Sequence, residues 1–133
     1  MPLVVPATVD IFLTGRPHWR GPAGEGWLAR VDAAWLSLLA LSAQQPRDRV
    51  AAWIWPDAAL RSANTTLRQR IFKLRQAIGH PLVESGAVLR LAPGVRADLL
   101  APGADDEELL GGFDYGDLEA FEGWLTGQRQ ALG

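Results

Sequence analysis

Cysteine is absent from the 133 residues, which excludes disulfides and thiolate chemistry. That absence suits a reducing compartment, and the cytoplasm is the expected location. Histidine is scarce, with only His18 and His80. Neither belongs to a set with metal-ligand spacing. No serine sits in a nucleophile-elbow motif, and the carboxylate run at 105–108 lacks the pattern of a calcium loop. No enzymatic activity and no cofactor are therefore expected. Long hydrophobic runs are missing as well. The longest, around residues 33–41, is too short to span a membrane and carries Ser37. The opening MPLVVPATVD has neither a basic segment nor a long apolar stretch, so no signal peptide is expected.

The formal net charge is only −2, so the chain as a whole is no generic polyanion binder. The charge is unevenly placed, however. Residues 1–99 carry 12 basic and 7 acidic side chains, and residues 100–133 carry 1 and 8. A basic functional domain over 1–99, followed by an acidic segment over 100–133, is the expected organisation. An acidic tail of this kind is able to screen a basic surface if it docks beside it.

Acidic residues are also missing from the stretch between Arg61 and Arg75, which holds Arg61, Arg68, Arg70, Lys73 and Arg75. The sequence NTTLRQRIFKLRQAIG, residues 64–79, reads as one helix. Leu67, Ile71, Leu74 and Ile78 share its inner face. Thr65, Gln69, Phe72, Lys73 and Gln76 lie opposite. Arg68 and Arg75 flank that outer face on one side and Arg70 on the other. Asn64 is the expected N-cap, and Gly79 the residue that ends the helix. Amides, hydroxyls and a cation at the centre, with arginines at the edges, match what a DNA major groove requires: base edges in the middle and phosphates at the rims. A solvated basic face on an ordinary core helix carries the same pattern.

Elsewhere the patterning is coarser. Residues 3–5 and 9–14 read as strands, and the pieces at 18–20 and 27–29 as a small meander around the loop GPAGEG. That loop lacks the Lys-Ser/Thr of a phosphate cradle. Asp32 caps an apolar, buried helix that ends near Ser42, and residues 42–46 break the pattern. A short helix starts near Asp48 and stops at Pro56. Residues 56–63 are a loop. Residues 82–84 and 88–91 form a hairpin across Ser85-Gly86, and 95–99 adds an extended segment. After an acidic linker at 102–108, Asp117 caps a helix with Leu118, Phe121, Leu125 and Leu132 on one side, widened by Trp124. Of the tryptophans, Trp35 and Trp53 read as core and Trp27 as part of the meander. Trp19, Trp55 and Trp124 read as surface or interface candidates.

Strands, a buried helix, a short helix, a basic helix and a hairpin follow one another in the order of a winged helix-turn-helix. The class expected is α+β: an N-terminal antiparallel sheet, three helices, a C-terminal hairpin wing and an added C-terminal amphipathic helix.

DIFLTGRP, AAWLSLLALSA, RDRVAAWIWPDA, LRQRIFKLRQAIG and VLRLAPGVRADL together resemble the OmpR/PhoB-type winged-helix domain of SARP-type bacterial transcriptional activators. ELLGGFDYGDLEAFEGWLTGQRQAL resembles the start of their helical bacterial transcriptional activator domain. The resemblance implies sequence-specific binding of double-stranded DNA, with the helix at 64–78 in the major groove. It implies that Arg68, Gln69, Arg70 and Lys73 approach bases or adjacent phosphates, and that Thr65, Thr66 and Arg75 hold phosphates. Trp55 corresponds to a tryptophan near phosphate, and the loop at 56–63 to the segment shown to RNA polymerase. The hairpin tip, Glu84-Ser85-Gly86-Ala87, departs from the family's basic tip and leaves Arg90 as the nearby cation. Phe72 is the other departure. It fits a thymine methyl or a protein contact. A homodimer or tandem copies would supply affinity that one domain lacks. A winged-helix module for protein interaction or dimerisation, without DNA binding, is the alternative reading.

Overall fold

A computed structural model of the chain describes residues 9–98 and 108–132. The expected strand at 3–5, the linker at 102–107 and residue 99 lie outside the described residues, as does the side chain of Leu132. Strand β1 (Val9–Phe12) alternates buried and half-buried positions, with Val9 and Ile11 turned inward. Antiparallel β2 (His18–Gly21) and β3 (Gly24–Trp27) follow it through short turns. The same β1 pairs in parallel with β7 (Val95–Ala97), 86 residues away at the Asp10–Arg96 step. The sheet order is β3-β2-β1-β7. Asp98 locks the β1–β7 junction by accepting from the Leu13 amide at 2.7 Å and the Thr14 hydroxyl at 2.6 Å.

Trp19 is buried in this sheet, not at the surface as its sequence context indicated. Its inward position follows from strand alternation between His18 and Arg20. Gly26, opposite it, makes the room. A Cβ there would stand 3.0 Å from the Trp19 indole nitrogen.

Helix α1 (Arg30–Ser42) is buried without a break from Asp32 to Leu39 and forms the centre of the core. It starts two residues before the expected cap. Asp32 lies in the first turn and points inward instead. Helix α2 (Arg47–Ile54) follows, separated from α1 by β4 (Gln44–Pro46). β4 is a strand where a simple break was expected. It has no apolar alternation of its own and exists by pairing with β6 (Val88–Leu91), which in turn pairs with β5 (Val83–Glu84). The second sheet thus has the order β4-β6-β5.

Helix α3 (Leu60–Ile78) begins a full turn before the expected Asn64. Ala59 is its N-cap and makes no side-chain capping bond. Ala63 extends the buried stripe of Leu67, Leu74 and Ile78, so the earlier turn gains burial that Asn64 capping would forgo. The loop expected at 56–63 shrinks to 56–59. Asn64 lies inside the helix and donates to the Asp48 carboxylate at 3.0 Å, tying α3 to α2. At the other end Gly79 adopts the expected left-handed conformation, with φ 83°.

The C-terminal segment packs onto the same core. Leu109, Leu110, Tyr115, Leu118, Phe121 and Leu125 are buried in one cluster with the residues of β1 and α1. Helix α4 (Glu119–Leu132) lies against α2. The Leu110 amide donates to Leu13 O at 2.7 Å, and the Tyr115 hydroxyl to Arg30 O at 2.7 Å. Asp117, expected as a helix cap, instead forms an ion pair with Arg30. The architecture among the described residues is mixed α+β, with four helices and two small sheets. No described helix is long and apolar enough to cross a membrane.

Candidate functional site

Nineteen residues give α3 a length of about 28 Å at 1.5 Å per residue. Its inner stripe is spent on the core, so its outer face is left to solvent. Thr65, Arg68, Gln69, Phe72, Lys73, Arg75 and Gln76 are all exposed, and Thr66 is half-buried. Arg68, Gln69, Phe72 and Lys73 line one open depression of ≈ 450 Å³. Phe72, Arg75 and Gln76 help line a second of ≈ 360 Å³ that runs to His80 and Pro81. Phe72 is the shared wall and is 57% exposed.

The helix contains no carboxylate between Leu60 and Ile78. Among the described residues, Arg61, Arg68, Lys73 and Arg75 form no ion pair. Their charges therefore face water without internal neutralisation. Arg70 is different. Its guanidinium grips Asp32 with two hydrogen bonds, Nε to Oδ1 at 3.2 Å and Nη2 to Oδ2 at 2.6 Å. Asp32 also accepts from the Trp35 indole at 3.0 Å. The hydrogen bond that Arg70 donates to Asp32 raises the Arg70 pKa above the ordinary arginine value, and burial works against it. Arg70 is thus a strut between α3 and α1 rather than a free outer-face cation, which corrects the expectation for that residue. The reason is geometric: α3 contacts α1, and among the described residues Arg70 is the cation that pairs with Asp32.

Thr65 and Thr66 donate their hydroxyls back to Arg61 O and Ser62 O, each at 3.1 Å. To donate to a phosphate either hydroxyl has to rotate out of that bond. Trp55 closes α2 and is half-buried against the core, with its amide bonded to Ala51 O at 2.9 Å. Arg90 is exposed on β6, paired in register with Gln44 and Glu84, so it belongs to the second sheet and not to the α3 face.

Arg47 joins the set although its sequence position marked only a helix start. Its pKa is lowered, first by burial and then by the charge of Arg68, with Asp48 opposing. Arg47 and Arg68 therefore crowd two positive charges where α2 meets α3. The Arg47 amide also donates to Ala87 O at 2.9 Å, linking α2 to the β5–β6 tip. Only the fold brings these three pieces together. A lone arginine beside Asp48 carried no such signal.

Of the two histidines, His18 lies apart from this face and His80 lines the end of its second depression. His18 stacks on Phe12 at 4.5 Å, and His80 is bonded to Pro81 O at 2.6 Å. No group of three or more potential metal ligands occurs among the described residues. Among the described residues, Asp117 pairs with Arg30 and Glu108 with Arg129, and no acidic side chain of the C-terminal segment pairs with α3. Comparisons with family models, curated proteins and solved structures returned no match.

Proposed function

We propose that the protein is a sequence-specific DNA-binding module of a bacterial transcriptional regulator, acting in the cytoplasm through the outer face of α3. The observation that carries this reading is the α3 surface itself. Three exposed cations without carboxylate partners among the described residues, Arg68, Lys73 and Arg75, surround two amides and an apolar ring on a helix of major-groove dimensions. In this reading α1, α2 and α3 are the helical part of a winged helix, and the β5–β6 hairpin is its wing. Gln69 and Lys73 read base edges. Arg68, Arg75 and Arg47 neutralise phosphates, while Thr65, Thr66 and Trp55 contribute polar groups at the rim. Arg70 holds α3 in place. The wing contributes little charge, because its tip offers Glu84 and no cation.

The stretch from Pro56 into the first turn of α3 is exposed, including Leu60 at 46%. By the family resemblance it is the surface offered to RNA polymerase. One such module makes few phosphate contacts, so tandem or dimeric binding to repeated half-sites completes the affinity. α4 packs on α2, and Glu108 and Asp117 pair away from the α3 cations, so that face is uncovered by described residues.

The test is selection from a pool of random duplexes by the wild type and by a folded Arg68→Ala/Lys73→Ala/Arg75→Ala variant. Enrichment of one sequence by the wild type alone supports the reading. Absence of binding by the folded wild type at low salt refutes it. A protein-interaction module is then the reading favoured by exposed Phe72 and the uncharged turn Ser85-Gly86-Ala87.

A further inference from the structure

Phe72 is costly where it stands. A phenyl ring 57% exposed gains little from burial, and the positions beside it show that the helix had an inner face to offer. Ile71 and Leu74 turn toward the core, while Phe72 turns out. Only two other large hydrophobics among the described residues are comparably exposed, Trp27 and Leu60. Trp27 belongs to β3 and has the Arg16 guanidinium 3.7 Å from its ring centroid as a partner. Leu60 lies three turns away at the start of α3. Phe72 stands between Arg68, Gln69 and Lys73 on one side and Arg75 and Gln76 on the other, with no carboxylate on the helix.

We infer that Phe72 is a specificity-determining residue that reads the 5-methyl group of a thymine. The inference rests on the DNA-binding reading above and assigns it a chemical discriminator. Phenylalanine has no donor or acceptor, so it cannot read the hydrogen-bonding edges of a base. The thymine C5-methyl is the one apolar group that the four bases present in the major groove. The polar neighbours hold the duplex at that level, and the ring covers the methyl from water. Adenine, guanine and cytosine at that position leave the ring against polar edges instead.

Uracil isolates this contact, because it differs from thymine only by the missing methyl and keeps every hydrogen-bonding group of the base. The duplex enriched by the wild-type protein is synthesised with each thymine replaced singly by deoxyuridine. Affinities are measured for wild type, Phe72→Ala and Phe72→Leu. Loss of one buried methyl corresponds to about four-fold weaker binding. One thymine is expected to show that loss with the wild type, part of it with Phe72→Leu and none with Phe72→Ala. Phe72 is solvent-facing, so both variants are expected to match the wild type in circular dichroism and thermal midpoint.

Insensitivity of the wild type to every uracil, or an equal loss in Phe72→Ala, overturns the assignment while leaving DNA binding intact. An enriched sequence without thymine opposite α3 does the same. A folded wild type that binds no duplex overturns both readings together, so the two failures are distinguishable.

Discussion

Replacing Arg70 with alanine is expected to lower stability, whereas replacing Arg68, two residues earlier on the same helix, is not. The Asp32 side chain is 4% exposed and that of Arg70 is 31% exposed. Removing one partner of a buried ion pair costs about 3–5 kcal/mol, and a charge-assisted hydrogen bond contributes about 1.5–3 kcal/mol. Water reaches Arg70 and screens its half of the pair, so the lower range applies, about 2–3 kcal/mol for Arg70→Ala. Asp32→Ala removes the same pair and also the acceptor of the Trp35 indole, which is fully buried. Its expected cost is about 3–4 kcal/mol. Because both substitutions delete one interaction, the double variant should be less destabilised than the sum, with a coupling of about 1–3 kcal/mol. Urea unfolding followed by tryptophan fluorescence reads these values. With a slope of about 1–3 kcal/mol per molar urea, the Arg70→Ala midpoint falls by roughly 1 M. Arg68→Ala should stay within about 0.5 kcal/mol of the wild type. An Arg70→Ala protein as stable as the wild type, with no coupling to Asp32, would refute the strut and return Arg70 to the free cations.

Phe121 is fully buried between the C-terminal segment and the rest of the core, edge-on to Tyr115 at 4.9 Å. Phe121→Ala is expected to cost about 3–5 kcal/mol and to shift one unfolding transition. Separate melting of the segment, with the rest unaffected, would contradict the shared core. Tyr115 is the single tyrosine, so tyrosinate absorbance reports it directly. Burial pushes its phenol well above the ordinary value, and the charges of Arg30 and Arg129 only partly oppose this. A raised native pKa means that the contribution to stability is complete below the unfolded value near pH 10 and declines as pH rises beyond it. Ionisation of the native protein is expected to lag free tyrosine and to coincide with unfolding. Titration of the folded protein near pH 10 would show instead that the ring is open to water.

The helices were the most legible part of the chain, because their apolar spacing is a local property. The α3 stripe, the Gly79 terminus and the outward position of Phe72 follow from periodicity alone. The start of α3 was not legible. Asn64 has the chemistry of a cap, but burial of Ala63, within the extra turn that starts at Leu60, outweighs it. β4 could not be read from Gln44–Pro46 because its only reason to be extended is the partner β6. The candidate site divides in the same way. Exposure of Arg68, Gln69, Lys73 and Arg75 is a local consequence of helical phase. The capture of Arg70 by Asp32, 38 residues away, and the crowding of Arg47 against Arg68 require the packed fold. Trp19 was misplaced because an aromatic between His18 and Arg20 looks peripheral until strand alternation and the space at Gly26 are considered together.

The salt dependence of binding to one enriched duplex tests the role of α3 most directly. Each phosphate neutralised contributes about −0.9 to the slope of log affinity against log salt concentration. The wild type is expected to bind with a negative slope, and Arg68→Ala/Lys73→Ala/Arg75→Ala to bind more weakly with a slope flatter by about 2–3. Arg61→Ala, outside the reading face, should change it less. Binding whose slope is the same in the triple variant, or no binding by the folded wild type at low salt, would contradict the assignment of DNA recognition to this helix.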